Sequence, residues 1–116
     1  MLLIGLVVGL AGCSALGSIT AGFESEPEVY REDVGFDVHF CMRVAASARE
    51  IERFIAAHFS SEDRVSVPLD TFGKSCGASF WPADFASPTV AYRGDRSGSR
   101  GVIVENGLLY YWDIGI

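Results

Sequence analysis

Three residues able to take part in covalent chemistry fall at alternating positions in one stretch: Asp37, His39 and Cys41. In an extended strand, positions two apart share a face with Cα atoms about 6–7 Å apart, so their side chains can meet. A carboxylate that orients an imidazole, which in turn draws the proton from a thiol, is the arrangement of a cysteine nucleophile. The plainer reading of the same stripe is the polar, solvent-side face of a half-buried strand. His39 and His58, with a carboxylate, match no familiar metal-ligand spacing, and His58 falls on an apolar helical stripe. Gly73-Lys74-Ser75 has the ending of a phosphate-binding loop, but Pro68 stands where that motif needs its first glycine. Arg93-Gly94-Asp95 spells a tripeptide of integrin ligands and reads first as a turn. None of these patterns implies a cofactor, and no metal site is expected.

The elements that must position these residues belong to a chain of 116 residues with a net charge of −6. That length suits one domain. The acidic balance argues against nonspecific binding to nucleic acid, which needs a basic surface to displace counterions. Charge is distributed unevenly. Met1 to Phe23 contains no Asp, Glu, Lys, Arg or His, and every charged residue lies between Glu24 and Asp113. Leu2 to Leu10 reads LLIGLVVGL, the length of a signal-peptide apolar region and too short to cross a bilayer alone.

The next residues are Leu10-Ala11-Gly12-Cys13. They resemble the lipobox of bacterial lipoproteins position by position. The resemblance implies diacylglycerol on the Cys13 thiol and cleavage just before it. It also implies a final location in the cell envelope, on the periplasmic face of the outer membrane in a Gram-negative cell, since Ser14 rather than Asp follows the cysteine. Residues 1–12 are then signal peptide, 13–28 a lipidated tether and 29–116 the folded domain. Met1 runs straight into Leu2 without the basic residues such signals carry, so a second reading stays open: an uncleaved single-pass anchor from Leu2 to Phe23. Its glycines and serines make it a poor apolar helix. A buried core helix is the remaining alternative.

Acylation of Cys13 leaves Cys41 and Cys76 as an even pair in an oxidising compartment. A bond between them closes a loop of 35 positions and constrains the unfolded chain by roughly 3–4 kcal/mol. It also removes the thiolate that the nucleophile reading of Cys41 requires.

Along the domain, Val34, Phe36, Val38, Phe40, Met42 and Val44 alternate with Gly35, Asp37, His39, Cys41 and Arg43, which predicts one half-buried strand. Ser47-Ala48-Arg49-Glu50 fits a capping box. Ile51, Phe54, Ile55 and His58 follow at helical spacing, ending near Ser60-Ser61. Short strands are expected at Arg64–Leu69, Ala78–Trp81 and Thr89–Arg93. Asn106-Gly107 between two β-rich runs predicts a hairpin on a type I′ turn. In that register Val104 faces Leu109, Val102 faces Tyr111, and Arg100 faces Asp113 as an ion pair. The opposite face carries Ile103, Leu108, Tyr110, Trp112 and Ile114. The fold class expected is α+β, one helix packed on a small, mostly antiparallel sheet.

Both faces of that hairpin are apolar, and one helix covers one face. The face of Val102, Val104, Leu109 and Tyr111, rimmed by Arg96, Arg100 and Asp113, is therefore the expected binding surface. The leading functional expectation is a non-enzymatic, membrane-anchored envelope lipoprotein that binds another envelope protein or an incoming one. The rivals are a small envelope enzyme using Cys41 and His39, and a single-pass membrane protein.

Overall fold

A computed structural model of the chain describes residues 19–35, 37–66, 76–94 and 100–114. The most local signal is also the most faithfully realised. Asn106 and Gly107 both take positive φ, 54° and 77°, the conformation a type I′ turn demands. They join β4 (Arg100–Glu105) to β5 (Leu108–Ile114), with Val104 opposite Leu109, Val102 opposite Tyr111 and Arg100 opposite Asp113. The remaining strands are β1 (Glu28–Val34), β2 (Asp37–Ala45) and β3 (Val90–Arg93). All five form one antiparallel sheet in the order β1-β2-β5-β4-β3. Helix α1 (Ala48–His58) follows β2, then a 3₁₀ turn at Ser61–Asp63. The described residues thus form an α+β fold, with helix α1 on an antiparallel sheet.

Helix α1 starts where its cap dictates. The Glu50 N–H donates to Ser47 Oγ at 3.2 Å, and the Ser47 N–H donates to Glu50 Oε1 at 2.9 Å. Two otherwise orphaned donors are satisfied reciprocally. Phe54 is the buried centre of the helix face, with Ile51 and Ile55 packed beside it. At the far end the Phe59 N–H still bonds the Ile55 carbonyl at 2.8 Å, while the Phe59 backbone has turned extended.

Four expectations about the elements need correction. The single strand expected from Val34 to Val44 is a hairpin: β1 ends at Val34, and β2 begins at Asp37, directly opposite it. β1 escapes a pattern search because its Glu28, Arg31, Glu32 and Asp33 are all exposed. It is an edge strand, and charge on an open edge deters pairing with other chains. Of residues 13–28, expected as a lipidated tether, positions 13–18 lie outside the described residues, and the rest is docked in part: Ile19 is only 8% exposed and joins the core, with Phe23 packed against it. The folded unit therefore starts before Val29. Ala78–Trp81 is not a strand but a turn, closed by the Trp81 N–H on the Ala78 carbonyl at 3.1 Å. Of the expected strand Arg64–Leu69, Arg64 makes one isolated antiparallel bridge with Tyr92, and positions 67–69 lie outside the described residues.

The sheet has a core on each side. On one, Phe40, Met42, Val44, Val102, Val104, Leu109 and Tyr111 pack under Phe54, Phe59 and Ile19. On the other, Cys41, Ala91, Ile103, Tyr110 and Trp112 pack under Ala78 and Trp81. The second cover is irregular chain, and it crowds the sheet. At Gly101 a Cβ would run into the Trp112 indole and stand 2.8 Å from the Tyr92 carbonyl oxygen, so only glycine fits beneath that ring.

Candidate functional site

The sheet face proposed from the sequence as a binding surface is core. Val102 and Leu109 are 0% exposed, Tyr111 1% and Val104 5%. Helix α1, Phe59 and the docked N-terminal segment cover it. The premise that one helix covers one face holds; α1 lies on this face, and the described cover of the opposite face is irregular chain. Of the expected rim, Arg96 lies outside the described residues.

Arg100 and Asp113 do stand beside Tyr111, as a clasp at the end of α1 rather than the rim of a patch. The Arg100 Nη1 donates to the His58 carbonyl oxygen at 2.9 Å. Its guanidinium sits 4.7 Å from the centre of the Phe59 ring. A cation at a helix C-terminus answers the partial negative charge of the last carbonyls. The Tyr111 hydroxyl donates to Asp113 Oδ2 at 3.0 Å, and its ring packs edge-on against Phe40, Phe54 and Phe59. Burial, followed by the Asp113 carboxylate, pushes the Tyr111 hydroxyl well above its usual range, so it stays a neutral donor. His58 stacks 4.5 Å from Phe54. Burial first, and then the Arg100 charge, hold its imidazole below its ordinary pKa.

Cys41 and Cys76 are joined, with their Cα atoms 6.2 Å apart. Cys41 is 2% exposed and lies in the core on the irregular side. The sulfur of the Asp37-His39-Cys41 stripe is thus bound and buried. His39 lies opposite Glu32 of β1 and Ile114 of β5, and His58 belongs to α1. Among the described residues no three His, Cys, Asp or Glu side chains are grouped to hold a metal ion. Gly73-Lys74-Ser75 and Asp95 lie outside the described residues, as does Cys13. Gly94 continues the β3–β4 pairing through its N–H to the Arg100 carbonyl at 2.9 Å.

Two features were missed from the sequence. The first is the irregular cover. Beyond the disulfide, Trp81 packs edge-on against Phe85, Tyr110 and Trp112 at 6.0, 5.4 and 6.2 Å between ring centres. Arg43 ties this cover to the sheet edge: it donates to Glu28 Oε1 at 2.6 Å and to the Phe80 carbonyl at 3.2 Å. The Ser87 N–H meets Glu105 Oε2 at 2.5 Å. A Trp and a Phe four apart in a stretch without strand alternation were the available signal.

The second is the docking of the N-terminal segment on α1. Ile19 enters the core, Phe23 stands 5.8 Å from Phe54, and the Glu24 N–H donates to Glu50 Oε2 at 2.8 Å. The Glu50 carboxylate therefore caps α1 with one oxygen and holds the segment with the other. These backbone donors, that of Ser47 first and then that of Glu24, keep its pKa below the usual carboxylate range. Between segment and helix runs a cleft of about 120 Å³ lined by Ala21, Gly22, Phe23, Glu50, Arg53, Phe54, Ala57 and His58. The isoleucine and phenylalanine four apart were again the only signal. Among the described residues no helix is long and apolar enough to cross a membrane. No protein-family model, curated protein or solved structure matches the chain.

Proposed function

We propose that the chain is a lipoprotein of the bacterial envelope, acylated on Cys13, whose folded domain is a non-enzymatic module that binds another protein. The observation that carries this reading is the use of cysteine. Leu10-Ala11-Gly12-Cys13 resembles a lipobox behind an apolar run of the right length. Cys41 and Cys76 are joined to each other, so Cys13 is the one thiol left over from the disulfide. A disulfide in the core suits an oxidising compartment.

With the sheet buried on both sides, the contact surface moves to the connection between β3 and β4. Arg93 and Arg96 lie in the most basic stretch of an acidic chain, which suits an acidic protein partner; Arg100 at its end is engaged with His58 and Phe59. Intact mass of the membrane-extracted protein tests the anchor. Loss of residues 1–12 with added acyl mass on Cys13 is expected, and Cys13→Ser abolishes both. A mature chain that begins at Met1 and carries no lipid refutes the reading. In the same extracts Arg96→Glu should reduce recovery of the co-purifying protein; unchanged recovery moves the surface elsewhere.

A further inference from the structure

The lipid anchor and the docked segment together fix more than an address. We propose that residues 19–24 form a short strap that holds the α1 side of the domain toward the bilayer and turns the disulfide-bonded side outward. This rests on acylation of Cys13. If the whole stretch 13–28 were free, the domain could swing through any orientation. It is not free. Ile19 is in the core, Phe23 lies on Phe54, and the Glu24 amide is held by Glu50. Only the six peptide steps from Cys13 to Ile19 separate the lipid from the first docked side chain. Fully extended, they reach at most about 22 Å.

The strap runs along α1, so the point where the chain leaves the domain belongs to the helix layer. The irregular segment carrying Trp81 and Phe85 lies beyond the sheet from it. Each packed layer adds about 10 Å, so that segment stands roughly 20 Å farther from the lipid than the helix does. The occupant of the helix side is the bilayer surface, and the tether rather than charge brings it there. Arg49 and Arg53 on α1 are outweighed by Glu50 and Glu52 of the helix together with Glu24 of the strap, so a neutral headgroup suits this side better than an anionic one.

Energy transfer to the membrane tests this on the full-length acylated protein. It is reconstituted in phosphatidylcholine vesicles containing an acceptor-labelled lipid. A donor dye is attached through an azide-bearing amino acid at Ala56 on α1 or at Ala86 on the irregular segment, both exposed positions. Transfer from position 56 should exceed that from position 86. A flexible Gly-Ser insertion of about 20 residues between Ser18 and Ile19, with a mean span of about 25 Å, should erase the difference. Equal transfer from the two positions in the acylated, uninserted protein overturns the strap while leaving the lipoprotein reading intact. A protein without acyl mass overturns both.

Discussion

On one face of the sheet a regular helix lies over Phe40, Met42, Val102 and Tyr111; on the other, irregular chain lies over Cys41, Ile103, Tyr110 and Trp112. The two covers do the same work by different means. Helix α1 satisfies its own backbone, begins at a capping box and needs only an apolar stripe at helical spacing. Among the described residues the irregular cover has no repeating hydrogen bonds of its own. It is held from outside, by the Cys41–Cys76 bond, by Arg43 on the Phe80 carbonyl, by Glu105 on the Ser87 amide and by four aromatic rings packed edge to face. A helix can be placed by its local sequence. A loop that serves as a layer has to be pinned to what it covers.

That contrast can be broken most directly at the centre of each cover. Phe54→Ala and Trp81→Ala should each cost about 3–5 kcal/mol, the usual range for emptying a buried aromatic site. Their response to the disulfide should differ. In a Cys76→Ser background, itself roughly 3–4 kcal/mol less stable, the Trp81→Ala loss should shrink, because the pinned layer it belongs to has already loosened. The Phe54→Ala loss should persist almost unchanged, since sites without shared partners behave additively. Denaturant midpoints of the three single and two double variants measure this; equal coupling on both faces would erase the distinction.

A smaller effect sharpens the helix side. Ser47→Ala removes the acceptor for the Glu50 amide and should cost about 1 kcal/mol. Amide exchange should quicken in the first turn of α1 and at Glu24, which shares the Glu50 carboxylate, and not at Trp81. Exchange that quickens only within α1 would show that the cap and the N-terminal segment are independent.

The smallest effect is in pH. His58 has a folded-state pKa below its ordinary 6.5, so the unfolded chain takes up this proton first. The stability that neutral His58 contributes is fully present above about pH 6.5 and declines as pH falls from there toward the lowered folded value. His58→Asn should flatten the thermal midpoint across that window. A midpoint that falls equally with and without the imidazole would assign the slope to another group.

How much could be read in advance follows the same division. The Asn106-Gly107 turn, the register it sets from Val104–Leu109 to Arg100–Asp113, and the Ser47–Glu50 cap were all legible, because each depends on residues within a few positions of one another. β1 was not legible, because an edge strand clothed in Glu28, Arg31, Glu32 and Asp33 has little apolar alternation to detect. The irregular cover and the N-terminal strap were not legible either. Trp81 finds Trp112, and Ile19 finds the helix-side core, across spans where no period carries information. The mistaken exposure of Val102 and Tyr111 came from this gap: counting regular elements leaves out the chain between them.

The strand order has one consequence in time rather than in space. β2 lies between β1, its neighbour in sequence, and β5, the last strand, with pairs running from His39–Ile114 to Ala45–Leu108. A chain delivered N-terminus first can pair β1 with β2 early, but a lone two-stranded ribbon is marginal in water. Neither core has its central strand until Leu108–Ile114 arrives, and contacts so distant in sequence form slowly. Residues 19–66 therefore spend the whole of chain synthesis as a polymer looking for a strand that has not yet been made, and that interval is when the apolar β2, with Phe40, Met42 and Val44, is most open to being held by something else.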